Sequence, residues 1–183
     1  MEFITLLNQK SQRLIAETVI HPLKVNTDES GFVVETLRRD WDDVFDNDRK
    51  FFMQYYSEIP SNQARDENVW HYHPTIQDER FVLVEGEIVV AVADQRYDAP
   101  NRGMLNLFYM KAKQNPYLLL VPRKTLYSFL VVSKGPAILL NFPTGLYNPK
   151  EEGRVPFSKA QVKTDTGELF NWDTVRKNFA LSS

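Results

Sequence analysis

The sequence predicts an all-β domain, a sandwich or barrel with short helices at both ends. Two observations carry that reading. Between residues 79 and 142, short apolar runs follow one another closely, punctuated by Gly, Pro and Asn. That is the texture of strands packed in a sandwich or barrel. No helix-length apolar pattern lies between these runs, which argues against a parallel sheet built from alternating strands and helices.

The elements follow in order. Phe3, Leu6, Leu7, Leu14 and Ile15 fall near helical spacing among Lys and Gln residues, so a helix is expected within residues 1–19. The turn signal TDES leads into a β-rich run, GFVVETL (31–37). The acidic, aromatic stretch DWDDVFDNDRKFFMQYYSEIP (40–60) reads as a lid or helix over one end of the barrel. ERFVLVEGEIVVAVADQ (79–95) reads as two strands joined at Glu85 and Gly86. Leu105–Lys111, Tyr117–Val121, SFLVVS (128–133) and AILLNF (137–142) follow as strands, the last two separated by a turn at Lys134, Gly135 and Pro136. In FNWDTVRKNFAL (170–181), Trp172, Val175 and Phe179 stand at helical spacing behind Asn171, a residue suited to capping a helix. The chain reads as a single domain, 1–183, with the N-terminal helix in 1–19, the barrel in 20–157 and a tail with a short helix in 158–183.

Composition narrows the function. The chain has 183 residues, 43% hydrophobic and 13% aromatic, a globular balance. Its formal net charge is −2 and it carries no long basic block, which argues against nucleic acid as the main partner. There is no cysteine, so disulfides, thiolate metal sites and a cysteine nucleophile are excluded. No run reaches the roughly 18 apolar residues of a membrane span, and the first twenty residues lack the pattern of a secretion signal. A cytoplasmic protein is expected.

Chemistry concentrates in NVWHYH (68–73), which holds two of the three histidines, His71 and His73. On a strand this spacing turns both imidazoles to one face. Three readings follow: a general base with a neighbour, a metal site, or two polar groups in a barrel mouth. The pair is similar to the His-x-His motif of the cupin barrels, where it binds metal. Glu79, followed by six residues and Gly86, fits the second half of that motif, although the gap from His73 is longer than usual. His71, His73 and Glu79 with one divalent metal is therefore the alternative site, water completing the shell. Against it, the position of the second-motif histidine is Tyr127.

Several segments in order resemble the dTDP-4-dehydrorhamnose 3,5-epimerase family of cupin enzymes. They are TDESGFVVE (27–35), NVWHYH (68–73), VEGEIVVAVADQR (84–96), DAPNRG (98–103), LLLVPRKTLYSFLVVS (118–133) and LLNFPTGLYNPKEEGRVPF (139–157). The resemblance covers residues 20–157 and implies a cupin-type double-stranded β-helix, a jelly-roll barrel. WHYH (70–73), QDER (77–80) and NFPTGLY (141–147) are similar to a branch of epimerase-related proteins within it.

Epimerisation beside a ketone needs a base, a proton donor on the opposite face and stabilisation of the enolate. The resemblance places His71 on the family's base, oriented by an Asp for which Asp165 and Asp173 are candidates. The family's acid, a Tyr, falls on Asn141, which cannot act as an acid, so Tyr127 is taken as a relocated donor. The family's charge-stabilising Lys falls near Glu79 and Arg80, and Arg80 is the plausible replacement. Ser30 stands where the family has a phosphate-binding Arg. The substrate-binding set expected is His73, Arg80, Glu35, Asn141 and Tyr147. The implied function is proton abstraction from, or binding of, a nucleotide-linked keto sugar, with no cofactor. The alternatives are a metal-dependent cupin enzyme and a non-catalytic small-molecule binder. Family members are homodimers, and Trp41, Phe45, Phe51, Phe52, Tyr55 and Tyr56 are expected to pack on a partner subunit. Arg38 and Arg39 read as a solvated or ion-paired face.

Overall fold

The computed structural model describes residues 1–180; the last three positions of the 158–183 tail, including Leu181 of the expected helix, lie outside the described residues. In chain order the strands are β1 (Val19–Pro22), β2 (Val25–Asp28), β3 (Gly31–Val34), β4 (Tyr55–Ile59), β5 (Val69–Tyr72) and β6 (Glu79–Glu85). They continue with β7 (Glu87–Ala93), β8 (Leu105–Lys111), β9 (Tyr117–Val121), β10 (Leu126–Val131), β11 (Ala137–Asn141) and β12 (Gly153–Pro156). Two short helices, α1 (Phe157–Ala160) and α2 (Trp172–Asn178), follow. One sheet runs β1-β9-β6-β11-β4, a second runs β12-β5-β10-β7-β8, and β2-β3 form a separate ribbon. The named strands pair antiparallel throughout. This is the expected all-β jelly roll.

The corner at Gly86 makes it one. β6 and β7 are adjacent in sequence but belong to opposite sheets, so the chain crosses the sandwich at a single residue. Gly86 has φ +81°, and a Cβ there would lie 2.7 Å from the Pro136 carbonyl oxygen and 2.9 Å from the Ala137 Cα. Only glycine meets both demands.

Between the sheets, Phe81, Leu83, Ile88, Val90, Val92, Leu119, Phe129 and Leu139 form the main core. Both outer faces are also covered over much of their area. α2 and the tail lay Phe170, Trp172 and Val175 on Trp70, Val89 and Leu130. The 40s segment lays Val44 on Val82, Leu118 and Leu120. Strands covered on both faces lose the apolar–polar alternation, which is why FVLV and IVVAVA read as continuous apolar runs. Asn171 caps α2 through its side chain, accepting from the Thr174 amide at 3.1 Å, as its sequence position predicts.

Two expectations are corrected. The helix within residues 1–19 is reduced to one 3₁₀ turn at Gln9–Ser11. The Ile4 amide donates to Leu107 at 2.7 Å and its carbonyl accepts from Tyr109 at 2.8 Å. The open edge of β8 offers the segment backbone partners that an isolated short helix cannot match. The 40–60 stretch forms no helix either. Its Asp and Asn residues favour turns: the Asp46 carboxylate accepts from the Asp48 amide at 2.7 Å and the Arg49 amide at 2.8 Å. The chain then enters β4 at Tyr55. Among the described residues no helix is long and apolar enough to cross a membrane.

Candidate active site

The mouth of the barrel holds a cavity of about 460 Å³ whose walls include His71, His73, Phe81, Tyr127, Asn141 and Arg154. Strand geometry assembles it. His71 and His73 share one face of β5 and its extension, as their spacing demands. Register does the rest. Tyr127 on β10 stands directly opposite His71, and Arg154 on β12 flanks His71 from the other side. β11 brings Asn141 beside Tyr55 of β4 and Phe81 of β6.

The two histidines have opposite surroundings. His71 Nε2 lies 2.9 Å from Asp66 Oδ2, and its Nδ1 lies 3.7 Å from Glu152 Oε1. Burial lowers its pKa, against the pull of Asp66 in the other direction. The ring is therefore held neutral beside a carboxylate, the state in which a base can accept a proton. His73 Nδ1 donates to the Glu151 carbonyl at 2.8 Å, while its Nε2 sits 2.6 Å from Glu79 Oε1. Burial lowers its pKa too, but the hydrogen bond and charge of Glu79 outweigh that, and the net shift is upward.

Glu79 is the hub. Its carboxylate is 1% exposed and accepts from Gln77 at 2.8 Å, from Tyr127 at 3.2 Å and from Asn141. Asn141 also reaches the Tyr55 hydroxyl at 2.7 Å. So Asn141 is an amide that fixes a buried carboxylate. Tyr127 is half-buried at the cavity wall, and its pKa is raised well above the ordinary tyrosine value, first by burial and then by the Glu79 charge.

Other expectations fail. Arg80 points away from the cavity. It is 0% exposed and donates to the carbonyls of Phe142 (2.7 Å), Val44 (3.1 Å), Arg49 (2.9 Å) and Lys50 (3.0 Å). Burial pulls its pKa down to about 10, still far above neutrality, so it acts as a buried charged clamp on the 40s segment. The question of which residue of the pair faces inward is answered by the pleat: Glu79 in, Arg80 out. Glu35 is not in the cavity wall; it pairs with Arg38 at 2.7 Å on the surface. Asp165 contacts the N-terminal amine at 3.4 Å and Asp173 contacts Arg176 at 3.3 Å, so neither orients His71. Tyr147 does line the cavity, at its exposed rim.

The carboxylate beside His71 is Asp66 instead, at 2.9 Å. It lies in the loop before β5 with φ +52°, a backbone conformation that Asp tolerates better than most residues. A carboxylate five residues before a strand histidine is the only sequence signal for it. Tyr55, Arg65, Gln77 and Glu152 also line the cavity and carried no motif. The alternative metal set does not form, because His71 turns to Asp66 while His73 turns to Glu79. Among the described residues no group of three or more His, Asp or Glu side chains is placed to hold a metal ion. A larger cleft of about 730 Å³ lies near Arg49, Arg96 and Arg123. Those cations are already spent on Asp78, Asp94 and Glu17.

Fold and site together define a cupin-type barrel with His71 and Tyr127 side by side on one wall of its mouth. Comparison with known proteins fixes the family. The family model described as dTDP-4-dehydrorhamnose 3,5-epimerase matches residues 12–180, and the chain belongs to that family. A relative in Haloferax volcanii, described as "Probable low-salt glycan biosynthesis epimerase Agl13", is 32% identical over 82% of this chain and 94% of its own length. The crystal structure of a dTDP sugar isomerase from Desulfovibrio desulfuricans superposes with a TM-score of 0.73 at 23% identity, over 87% of this chain and 92% of the other. The dTDP-6-deoxy-D-glucose-3,5-epimerase RmlC from Legionella pneumophila, solved with dTDP-4-keto-L-rhamnose, gives 0.71 at 23% identity, over 84% and 80%.

Proposed function

We propose that this chain abstracts a proton from the carbon next to the ketone of a nucleotide-linked 4-keto sugar, as an epimerase or isomerase, with His71 as base and Tyr127 as acid. One observation carries the proposal: a neutral imidazole, 2.9 Å from Asp66, stands beside a cavity-lining tyrosine on the adjacent strand, ring centroids 5.9 Å apart. With Nε2 turned to Asp66, Nδ1 is the nitrogen left for the substrate. The proton acidified by the carbonyl moves to Nδ1 and the electron pair moves onto the ketone oxygen as an enolate. Tyr127 Oη then returns a proton to carbon. The membership of the family and the dTDP-4-keto-L-rhamnose bound to the Legionella protein support a nucleotide-sugar substrate. Arg65 lines the cavity and supplies positive charge near its mouth, suited to a diphosphate, while Arg154 in the same wall is paired with Glu152 at 3.0 Å. The reaction so drawn uses side chains of this chain alone.

A homodimer belongs to the same reading. Of the six aromatics expected at an interface, Trp41 stacks on His21 at 4.1 Å, Phe45 lies under Arg80 and Tyr55 lines the cavity. Phe51, Phe52 and Tyr56 remain exposed, close to β4 at the sheet edge. Light scattering at micromolar concentration is expected to give twice the chain mass; a monomer contradicts this part.

The function is tested by incubating the protein with dTDP-4-keto-6-deoxyglucose and resolving the products. A sugar altered at a carbon beside the ketone is expected. Unchanged sugar after exhaustive incubation contradicts the proposal.

A further inference from the structure

The proton inventory around Glu79 decides how the acid side is supplied. His73 Nδ1 faces the Glu151 carbonyl at 2.8 Å, and a carbonyl only accepts, so Nδ1 carries a hydrogen. His73 Nε2 lies 2.6 Å from Glu79 Oε1, so a proton must also sit between those two atoms. It belongs either to an imidazolium facing a carboxylate or to a neutral ring facing a carboxylic acid. Gln77, Asn141 and Tyr127 all donate to the same carboxyl group, and three further donors favour the carboxylate. The Gln77 amide, 3.3 Å from His73 Nε2, has Glu79 as its closer acceptor at 2.8 Å. Tyr127 Oη sits 3.1 Å from His73 Nε2 and lines the cavity. Gln77 also touches the ring and the cavity, but an amide does not act as an acid at neutral pH, so Tyr127 is the proton-exchanging group that joins the charged ring to the space for substrate.

We propose that His73 is a standing imidazolium, held by Glu79, that passes its proton to Tyr127 and so resupplies the acid of the reaction. The inference rests on the enolisation reading above. After the enolate forms, its electron pair takes the Tyr127 proton at carbon: the Oη–H bond breaks, the C–H bond forms and the ketone is restored. The phenolate oxygen then takes the Nε2 proton of His73, which becomes neutral and keeps its Nδ1 hydrogen on Glu151. Water re-protonates His73 and removes the proton that His71 gained. No phenolate has to persist beside the Glu79 charge, the circumstance that otherwise makes Tyr127 a weak donor. His73 acts through Tyr127 and is a positioning residue. The groups that set its charge are Glu79 from β6, Tyr127 from β10, the Glu151 carbonyl and the Glu152 carboxylate ahead of β12, with His71 on its own strand.

The test is a nitrogen-15 NMR titration of the histidine side chains in the full chain. His73 is expected to stay doubly protonated at pH 7 while His71 is neutral. Glu79→Gln should move the His73 titration down by about one pH unit or more. With keto sugar in deuterated water, His73→Gln should keep exchange at carbon but slow formation of the altered sugar by about tenfold or more, since general acid catalysis contributes at least that. A neutral His73 at pH 7 in the wild type, which needs no variant to fold, overturns the inference while leaving His71 enolisation intact. A charged His73 with neither exchange nor product overturns the enolisation reading, and with it the relay.

Discussion

Glu79 and Arg80 are neighbours on β6, both charged and equally buried, yet they serve different structures. Glu79 faces the space between the sheets and organises His73, Tyr127 and Asn141. Arg80 faces outward and ties the 40s segment to the sheet through four carbonyls. The difference comes from the two-residue period of a strand. Its lesson is that burial does not separate chemistry from scaffold in this barrel; the face of the strand does. Substitutions on the inner face should cost activity at nearly constant stability, and those on the outer face should do the reverse.

The largest expected effect is on the inner face. Tyr127→Phe removes the proposed acid and one donor to Glu79; product formation should fall by about 10²-fold or more, with the melting curve shifted only modestly. A variant that melts many degrees lower but turns over normally when cold would erase the contrast. On the outer face, Arg80→Leu leaves the carbonyls of Val44, Arg49, Lys50 and Phe142 without their guanidinium partner. At about 1 kcal/mol or more for each buried acceptor left unmet, denaturant unfolding should show a loss of about 4 kcal/mol or more. Gly86→Ala tests the corner that sends the chain from one sheet to the other. Strain at positive φ and the contact with Pro136 should cost about 2 kcal/mol, with activity per folded molecule unchanged.

Smaller effects are read with pH. The His71 pKa is lowered by burial, so the acid limb of kcat/KM should fall below the ordinary histidine value of about 6.5; a limb above it contradicts the neutral base. Asp78 sharpens the comparison further. Burial raises its pKa, but hydrogen bonds from Arg123 outweigh that and leave it lowered. Its contribution is therefore complete above the ordinary carboxylate range and is lost as pH falls through the depressed folded value. Asp78→Asn should flatten the acid end of the stability profile without moving the His71 limb.

Much of the fold was legible because the strands are short, closely spaced and punctuated. The β6–β7 joint at Gly86 and the cap at Asn171 could be read directly. The N-terminal segment could not, because its five apolar residues fit a helix locally while the open edge of β8 decided otherwise. In the site, the His-x-His spacing and Tyr127 were readable, since a shared face and a motif position needed no tertiary knowledge. Asp66 was not. The family resemblance points to an Asp in the tail, and a loop carboxylate five residues before His71 carries no pattern that marks it in sequence. Arg80 was misassigned because a charged residue beside a motif gives no sign of which face it takes until the register is known.

The most direct measurement is proton NMR of dTDP-4-keto-6-deoxyglucose in deuterated water with the wild type and with His71→Ala. Loss of the signal at a carbon beside the ketone with the wild type, and its persistence with His71→Ala, is the result predicted here. Equal exchange by both proteins, or none by the wild type, would contradict His71 as the base of this cavity.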